Sequence, residues 1–224
     1  MRFLNVLFSL VLIFTILQCE KKTKPYTFLA LGDSYTIGES VAKKDRWPQQ
    51  LVKTLEKDGI KFEPPTLIAK TGWTTGELKS GIDNTVLNYP YDWVSLMIGV
   101  NNQYRGLSLD QFREEFETLL QMAITFAGNK KDQVFVLSIP DWGAMPFAKG
   151  RNREEIARQI DDFNQVIYEV CALEEITFID ITPISRQIDT HPEWVAKDGL
   201  HPSSAQYKAW VDAILNVVLL KTHE

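Results

Sequence analysis

A serine preceded by glycine and aspartate, Gly32-Asp33-Ser34, and a histidine three residues after an aspartate, Asp198-Gly199-Leu200-His201, are the residue types that could do covalent chemistry in this chain. A serine hydroxyl is a weak nucleophile until an imidazole takes its proton. The imidazole in turn needs a carboxylate to hold its tautomer and stabilise the imidazolium. Ser34, His201 and Asp198 supply the three roles, which is the part list of an ester hydrolase. Taken alone, a serine in a glycine-bounded turn is an ordinary turn residue more often than a nucleophile.

Two further loops carry groups suited to a developing negative charge. Thr71-Gly72-Trp73-Thr74-Thr75-Gly76 offers an unshielded backbone N–H at Gly72, and Ile98-Gly99-Val100-Asn101-Asn102 puts amide side chains at a strand end. A helix entry and an Asx turn are the bland alternatives for these two. Of the three histidines, His223 lies in the tail and His191 sits in a Pro-flanked loop as the one rival base, with a surface histidine its commoner identity. No G-x-S-x-G elbow occurs.

To unite residue 34 with residue 201, the chain must deliver several loops to one edge. Apolar runs at Thr27 to Leu31, Thr66 to Ala69, Trp93 to Ile98, Gln133 to Ile139 and Ile176 to Ile181 read as strands. Three are nearly continuous in apolar residues, as in parallel strands buried on both faces. Between them lie amphipathic helices with legible starts. Ser108 with Gln111 makes a capping box ahead of Leu109, Phe112, Phe116, Leu119, Leu120 and Ala123, and Gly128-Asn129 ends that helix. Thr74 with Glu77, Asn152 with Glu155 and Ser203 with Gln206 repeat the pattern. Strands alternating with crossover helices predict an α/β fold: a three-layer α/β/α sandwich around a parallel sheet of about five strands, with ligands at the strands' carboxyl ends.

The four loops come in chain order after successive predicted strands, and their joint pattern resembles the SGNH (GDSL-type) hydrolase family. Its four namesake positions match Ser34, Gly72, Asn101 and His201, and Asp198 matches its carboxylate three residues before the histidine. The resemblance runs from about Thr27 to the final helix and implies a flavodoxin-like SGNH fold. It further implies a serine esterase acting through an acyl-enzyme, with the oxyanion held by the N–H groups of Ser34 and Gly72 and the side chain of Asn101. The third block of the family usually reads G-x-N-D, whereas this chain has Asn102 after Asn101. Lysophospholipids or other acyl esters are the expected substrates, the run Gly32 to Glu39 with Thr71 to Thr75 resembling the lysophospholipases most. Carbohydrate O-acetylesterase or thioesterase activity is the alternative within the family. A non-catalytic ligand-binding lipoprotein is the alternative from another class.

Tyr35, Trp73, Tyr104, Trp142 and Met145 fall in or beside these loops and are expected either to wall the acyl site or simply to pack. H-E-x-x-H, cysteine pairs and phosphate-binding glycine motifs are absent, so neither metal nor cofactor is expected. With 24 basic and 29 acidic side chains, a net charge of −5 and no Lys/Arg cluster, neither nucleic acid nor a protein partner is expected. Cys171 lies on the apolar stripe Ile156, Ile160, Phe163, Val166, Ile167, Val170 and reads as a buried structural thiol.

The N-terminus reads as an export signal over residues 1–18, with Arg2 ahead of an apolar stretch from Phe3 to Leu17. Ile16-Leu17-Gln18-Cys19 resembles a bacterial lipobox, although Gln18 replaces the usual small residue. Cys19 is therefore the expected lipidation site, and the protein is expected in the periplasm or cell envelope, anchored to a membrane. An uncleaved anchor helix with an incidental cysteine is the other reading. Residues 19–26 form a tether whose stretch from Glu20 to Tyr26 reaches at most about 25 Å. Residues 27–224 are expected to make up one hydrolase domain.

Overall fold

Five short apolar strands pair in parallel in the order β2-β1-β3-β4-β5. They are β1 (Phe28–Gly32), β2 (Thr66–Ala69), β3 (Trp93–Met97), β4 (Val134–Leu137) and β5 (Thr177–Ile179). The computed structural model describes residues 24–222. The expected export signal and Cys19 lie outside the described residues. Tyr26, assigned to the tether, is tied to the fold: its N–H donates to the Lys61 carbonyl at 2.7 Å and its carbonyl accepts from Glu63 N–H at 2.8 Å.

Every residue of β1, β3 and β4 is buried, so helices cover both faces of the sheet. α2 (Trp47–Lys57) packs with α8 (Ser204–Thr222), while α5 (Leu109–Phe126) packs with α3 (Thr75–Asp83), α6 (Arg153–Leu173) and β3. This is the expected three-layer sandwich. Trp47 of α2 meets Phe28 and Phe135 of the sheet, with ring centroids 6.0 and 6.4 Å away. On α5, Phe112 sits 4.7 Å from Phe163 of α6. The apolar stripe of α6 is buried along its length, Cys171 included, and burial pushes that thiol up to about 12.

The helix starts differ from the sequence pattern in one respect. Thr74 with Glu77 closes a reciprocal capping box, but at α5 only half the box forms. Gln111 N–H donates to Ser108 Oγ at 3.2 Å, while the Gln111 amide turns along the helix to Glu115 Oε1 at 2.8 Å. Glu155 likewise gives its carboxylate to Arg158 and Gln159 rather than back to the Asn152 backbone. An exposed glutamine or glutamate has a better partner one turn ahead, so the backbone receives only the cap oxygen.

β1 and β3 are neighbours whose crossovers leave on different sides, one to β2 and the other to β4. That is the switch point at which a doubly wound sheet opens a crevice beyond its strand ends. The short helices α1 (Ser34–Ile37) and α4 (Val100–Tyr104) begin there, and α7 (Thr182–Ser185) follows β5.

Candidate active site

Ser34 is the first residue of α1, immediately beyond β1. Gly32 makes this possible, because a Cβ there would lie 2.6 Å from the Met97 carbonyl of the neighbouring strand and would also strike Thr36. Asp33 caps α1, its Oδ1 accepting from Tyr35 N–H at 3.0 Å. Ser34 thus sits at the sheet edge with its own N–H at the helix start, where no intrahelical acceptor exists.

The loop after β2 brings Gly72 to the same place with φ +84°, a backbone conformation that suits glycine. Its carbonyl accepts from Arg105 Nη2 at 2.6 Å, and that guanidinium also pairs with Glu77 at 3.2 Å. Among the described residues neither the Gly72 N–H nor the Ser34 N–H has an acceptor. Asn101, on α4 beyond β3, turns its amide toward them. Nδ2 donates to the Trp73 carbonyl at 3.0 Å and, over a longer 3.3 Å, to Asp33 Oδ2. Two N–H groups and an amide therefore converge beside the serine.

The fourth loop, ahead of α8, presents His201. Its Nδ1–H donates to Asp198 Oδ2 at 2.6 Å, which leaves Nε2 as the basic nitrogen. Asp198 Oδ1 accepts from the N–H groups of Leu200 and His201 at 2.9 and 3.0 Å, so the turn itself aims the carboxylate. Burial pushes the Asp198 carboxyl up, but the Ser40 hydroxyl, the His201 ring and the two backbone amides outweigh it. They hold the group well below the usual carboxylate range. Behind the imidazole stands Tyr35, ring centroids 5.0 Å apart.

Asp33 behaves in the opposite way. Complete burial pushes its carboxyl up to about 7, despite the lowering pull of Tyr35 N–H and the Asn101 amide. One candidate-site carboxylate is therefore held charged, and the other is about half-protonated near pH 7.

Ser34, Gly72, Asn101 and His201 line one cavity of about 190 Å³, together with Tyr35, Tyr104 and Trp142. The serine and the imidazole share this cavity without a direct hydrogen bond between them, an arrangement common before substrate is bound. Two residues expected in the wall are not part of it. Met145 is fully buried in the packing beneath, and Trp73 lays its ring against α3 at Gly81. Phe147, Val100, Leu200 and Thr71 line the cavity although sequence reasoning did not single them out. The place of Phe147 depends on a contact remote in sequence, its N–H donating to the Gly199 carbonyl at 2.9 Å. Trp142 is held from behind, its Nε1–H donating to Gln103 Oε1 at 2.7 Å.

Asn102, the departure from the usual third block, is completely buried and points away from the cavity. Its Oδ1 accepts from Thr75 N–H at 3.1 Å and its Nδ2 donates to Thr75 Oγ1 at 2.6 Å, while that hydroxyl donates to Glu115. The amide ties the third loop to the start of α3 and so keeps Asn101 and Gly72 in register. His191, the rival base, is on the surface, stacked on Trp194 at 4.0 Å with Nδ1 3.2 Å from Glu193 Oε1. Among the described residues no group of histidine, cysteine, aspartate or glutamate side chains could hold a metal ion. Nor is any of their helices long and apolar enough to cross a membrane.

The pattern of the GDSL-like Lipase/Acylhydrolase family matches residues 30–209. An acetylxylan esterase of Geobacillus stearothermophilus is 23% identical over 201 residues, 86% of this chain and 84% of the relative. An arylesterase of Vibrio mimicus is 22% identical over 217 residues, 96% of this chain and 98% of the relative. Among solved structures, Axe2, an acetylxylan esterase from Geobacillus stearothermophilus, superposes with a TM-score of 0.66 at 19% identity. That match covers 86% of this chain and 94% of Axe2, and it shows a shared fold.

Proposed function

The chain belongs to the GDSL-like lipase/acylhydrolase family and is a serine ester hydrolase, and from that premise we propose that Ser34 is its nucleophile, His201 its base and Asp198 the orienting carboxylate. The observation that carries this assignment is the convergence on one cavity of Ser34, the His201–Asp198 pair and two backbone N–H groups without acceptors. Ser34 Oγ attacks the ester carbonyl carbon as its proton passes to His201 Nε2. The oxyanion is taken up by the N–H groups of Ser34 and Gly72 and by the Asn101 amide, which exchanges its long contact to Asp33 for it. His201 then returns the proton to the departing alcohol, leaving Ser34 acylated. Water repeats the sequence in reverse, releasing the acid and restoring the serine.

The cavity is smaller than the roughly 300 to 1,000 Å³ of drug-sized sites, and Tyr104, Trp142, Phe147, Val100 and Leu200 make it largely apolar. A short acyl group is the substrate part that best fits it, with the alcohol part at the open rim. The acetylxylan esterase among the relatives is consistent with this reading. A lysophospholipid is the second reading, favoured by the apolar wall together with the lipobox-like segment ending at Cys19. In either case the protein is exported and held at a membrane through Cys19.

A panel of p-nitrophenyl esters from acetyl to long acyl, run with the unsubstituted enzyme and with Ser34→Ala, tests the assignment. Turnover and fluorophosphonate labelling that both vanish in Ser34→Ala, with a maximum at short chains, are expected. Labelling that survives Ser34→Ala would remove Ser34 from its role, and a maximum at long chains would select the lysophospholipid reading.

A further inference from the structure

The aromatic wall carries a cation that the ester chemistry above does not use. The Arg151 guanidinium carbon lies 5.5 Å from the Tyr104 ring centroid, 5.3 Å from that of Trp142 and 5.8 Å from that of Phe147. All three rings line the cavity that holds Ser34 and His201. Arg151 Nη2 also reaches the Tyr104 hydroxyl at 3.4 Å. A guanidinium held over ring faces keeps its planar fork of N–H donors for an acceptor, with little side-chain freedom left to lose.

Arg151 has no carboxylate partner among the described residues, whereas Arg105, beside Gly72, is paired with Glu77. None of the residues lining the cavity is acidic. Lys149 and Arg153 are exposed on the same segment, with Arg153 Nη2 donating to the Met145 carbonyl at 3.1 Å. The segment is tied to the loop that carries the candidate base through the bond from Phe147 N–H to the Gly199 carbonyl.

We propose that Arg151, backed by Tyr104, Trp142 and Phe147, forms an anion subsite at the mouth of the cavity. The preferred ester then carries an oxyanion, a phosphate or a carboxylate, on the part lying along this wall. The inference rests on the cavity being the ester site. An ion pair to a planar fork over aromatic rings discriminates a charged substrate from its neutral isostere by about tenfold or more.

Two matched substrate pairs test this. One places a carboxylate on the acyl part, mono-p-nitrophenyl glutarate against p-nitrophenyl valerate. The other places a phosphate on the alcohol part, a short-chain monoacylglycerol 3-phosphate against the same monoacylglycerol. In at least one pair, the ratio of kcat/KM for charged over neutral ester should fall about tenfold in Arg151→Ala, mostly through KM, and less in Arg151→Lys. The pair that responds identifies which half of the ester bears the anion. Calorimetry of hexyl phosphate binding to Ser34→Ala, with and without Arg151→Ala, reads the subsite without turnover, so it stands even if no ester is cleaved and the proposed chemistry fails. A ratio unchanged in both pairs, or hexyl phosphate binding no weaker without Arg151, would overturn the proposal.

Discussion

Ser40 Oγ donates to Asp198 Oδ2 at 2.5 Å, the same oxygen that receives the His201 Nδ1–H. The hydroxyl comes from a residue 158 positions away in sequence, and Ser40 holds it there in a left-handed backbone with φ +65°, an uncommon conformation for a non-glycine residue. It touches neither the cavity nor the serine, so it acts by positioning the carboxylate that positions the imidazole.

Ser40→Ala should therefore lower kcat by about three- to tenfold with KM little changed, the range expected for one exposed charge-assisted hydrogen bond. Ser40→Gly, which relieves the left-handed backbone, should lose the same turnover without losing stability. With one donor gone, the Asp198 carboxyl should titrate higher than in the unsubstituted chain in both variants. A glycine variant with full activity would show that the hydroxyl has no part in orienting Asp198.

Asn102 and Glu115 share the Thr75 hydroxyl, one as donor and one as acceptor. Asn102→Asp would leave that single hydroxyl proton between two carboxylates in a buried place. A loss of roughly 1 to 3 kcal/mol in unfolding free energy is expected. Adding Glu115→Gln should recover most of it, and urea denaturation of the four chains of the double-mutant cycle measures the coupling. Additive losses would mean that the two groups do not share the hydroxyl.

Asp33 links stability to pH with a sign opposite to that of Asp198. Its folded carboxyl is raised to about 7 by burial, above the ordinary value of 3.8, so between those limits the folded chain keeps a proton that the unfolded chain has lost. Stability from this group consequently falls as pH rises from about 4 to about 7. Asp198, held low, contributes stability above the ordinary carboxylate range and loses it as the medium becomes more acid than that. Urea midpoints followed across this range should show Asp33→Asn gaining on the unsubstituted chain as pH increases. Parallel profiles would place Asp33 in a more polar setting than its burial implies.

Periodicity made the sandwich legible because it is written locally. The stripes of α5 and α6 and the apolar runs of β1, β3 and β4 carry their burial in consecutive residues, and strand ends shifted by only one or two positions. The candidate groups Ser34, Gly72, Asn101, Asp198 and His201 were nameable because residue type and spacing within single loops mark them. Helix caps were legible only by half, since the cap oxygen is a local matter while the Gln111 and Glu155 side chains choose among partners.

What the sequence by itself determined is the set of elements and the inventory of reactive groups, each readable within a few residues. Only the tertiary structure decided that Ser40 would brace Asp198, that Phe147 would replace Met145 in the wall, and that Arg151 would lie over three rings. The physical reason is that such pairings join segments far apart along the chain. Their geometry is set by how loops land at the edge of a twisted sheet, and no local preference encodes that landing.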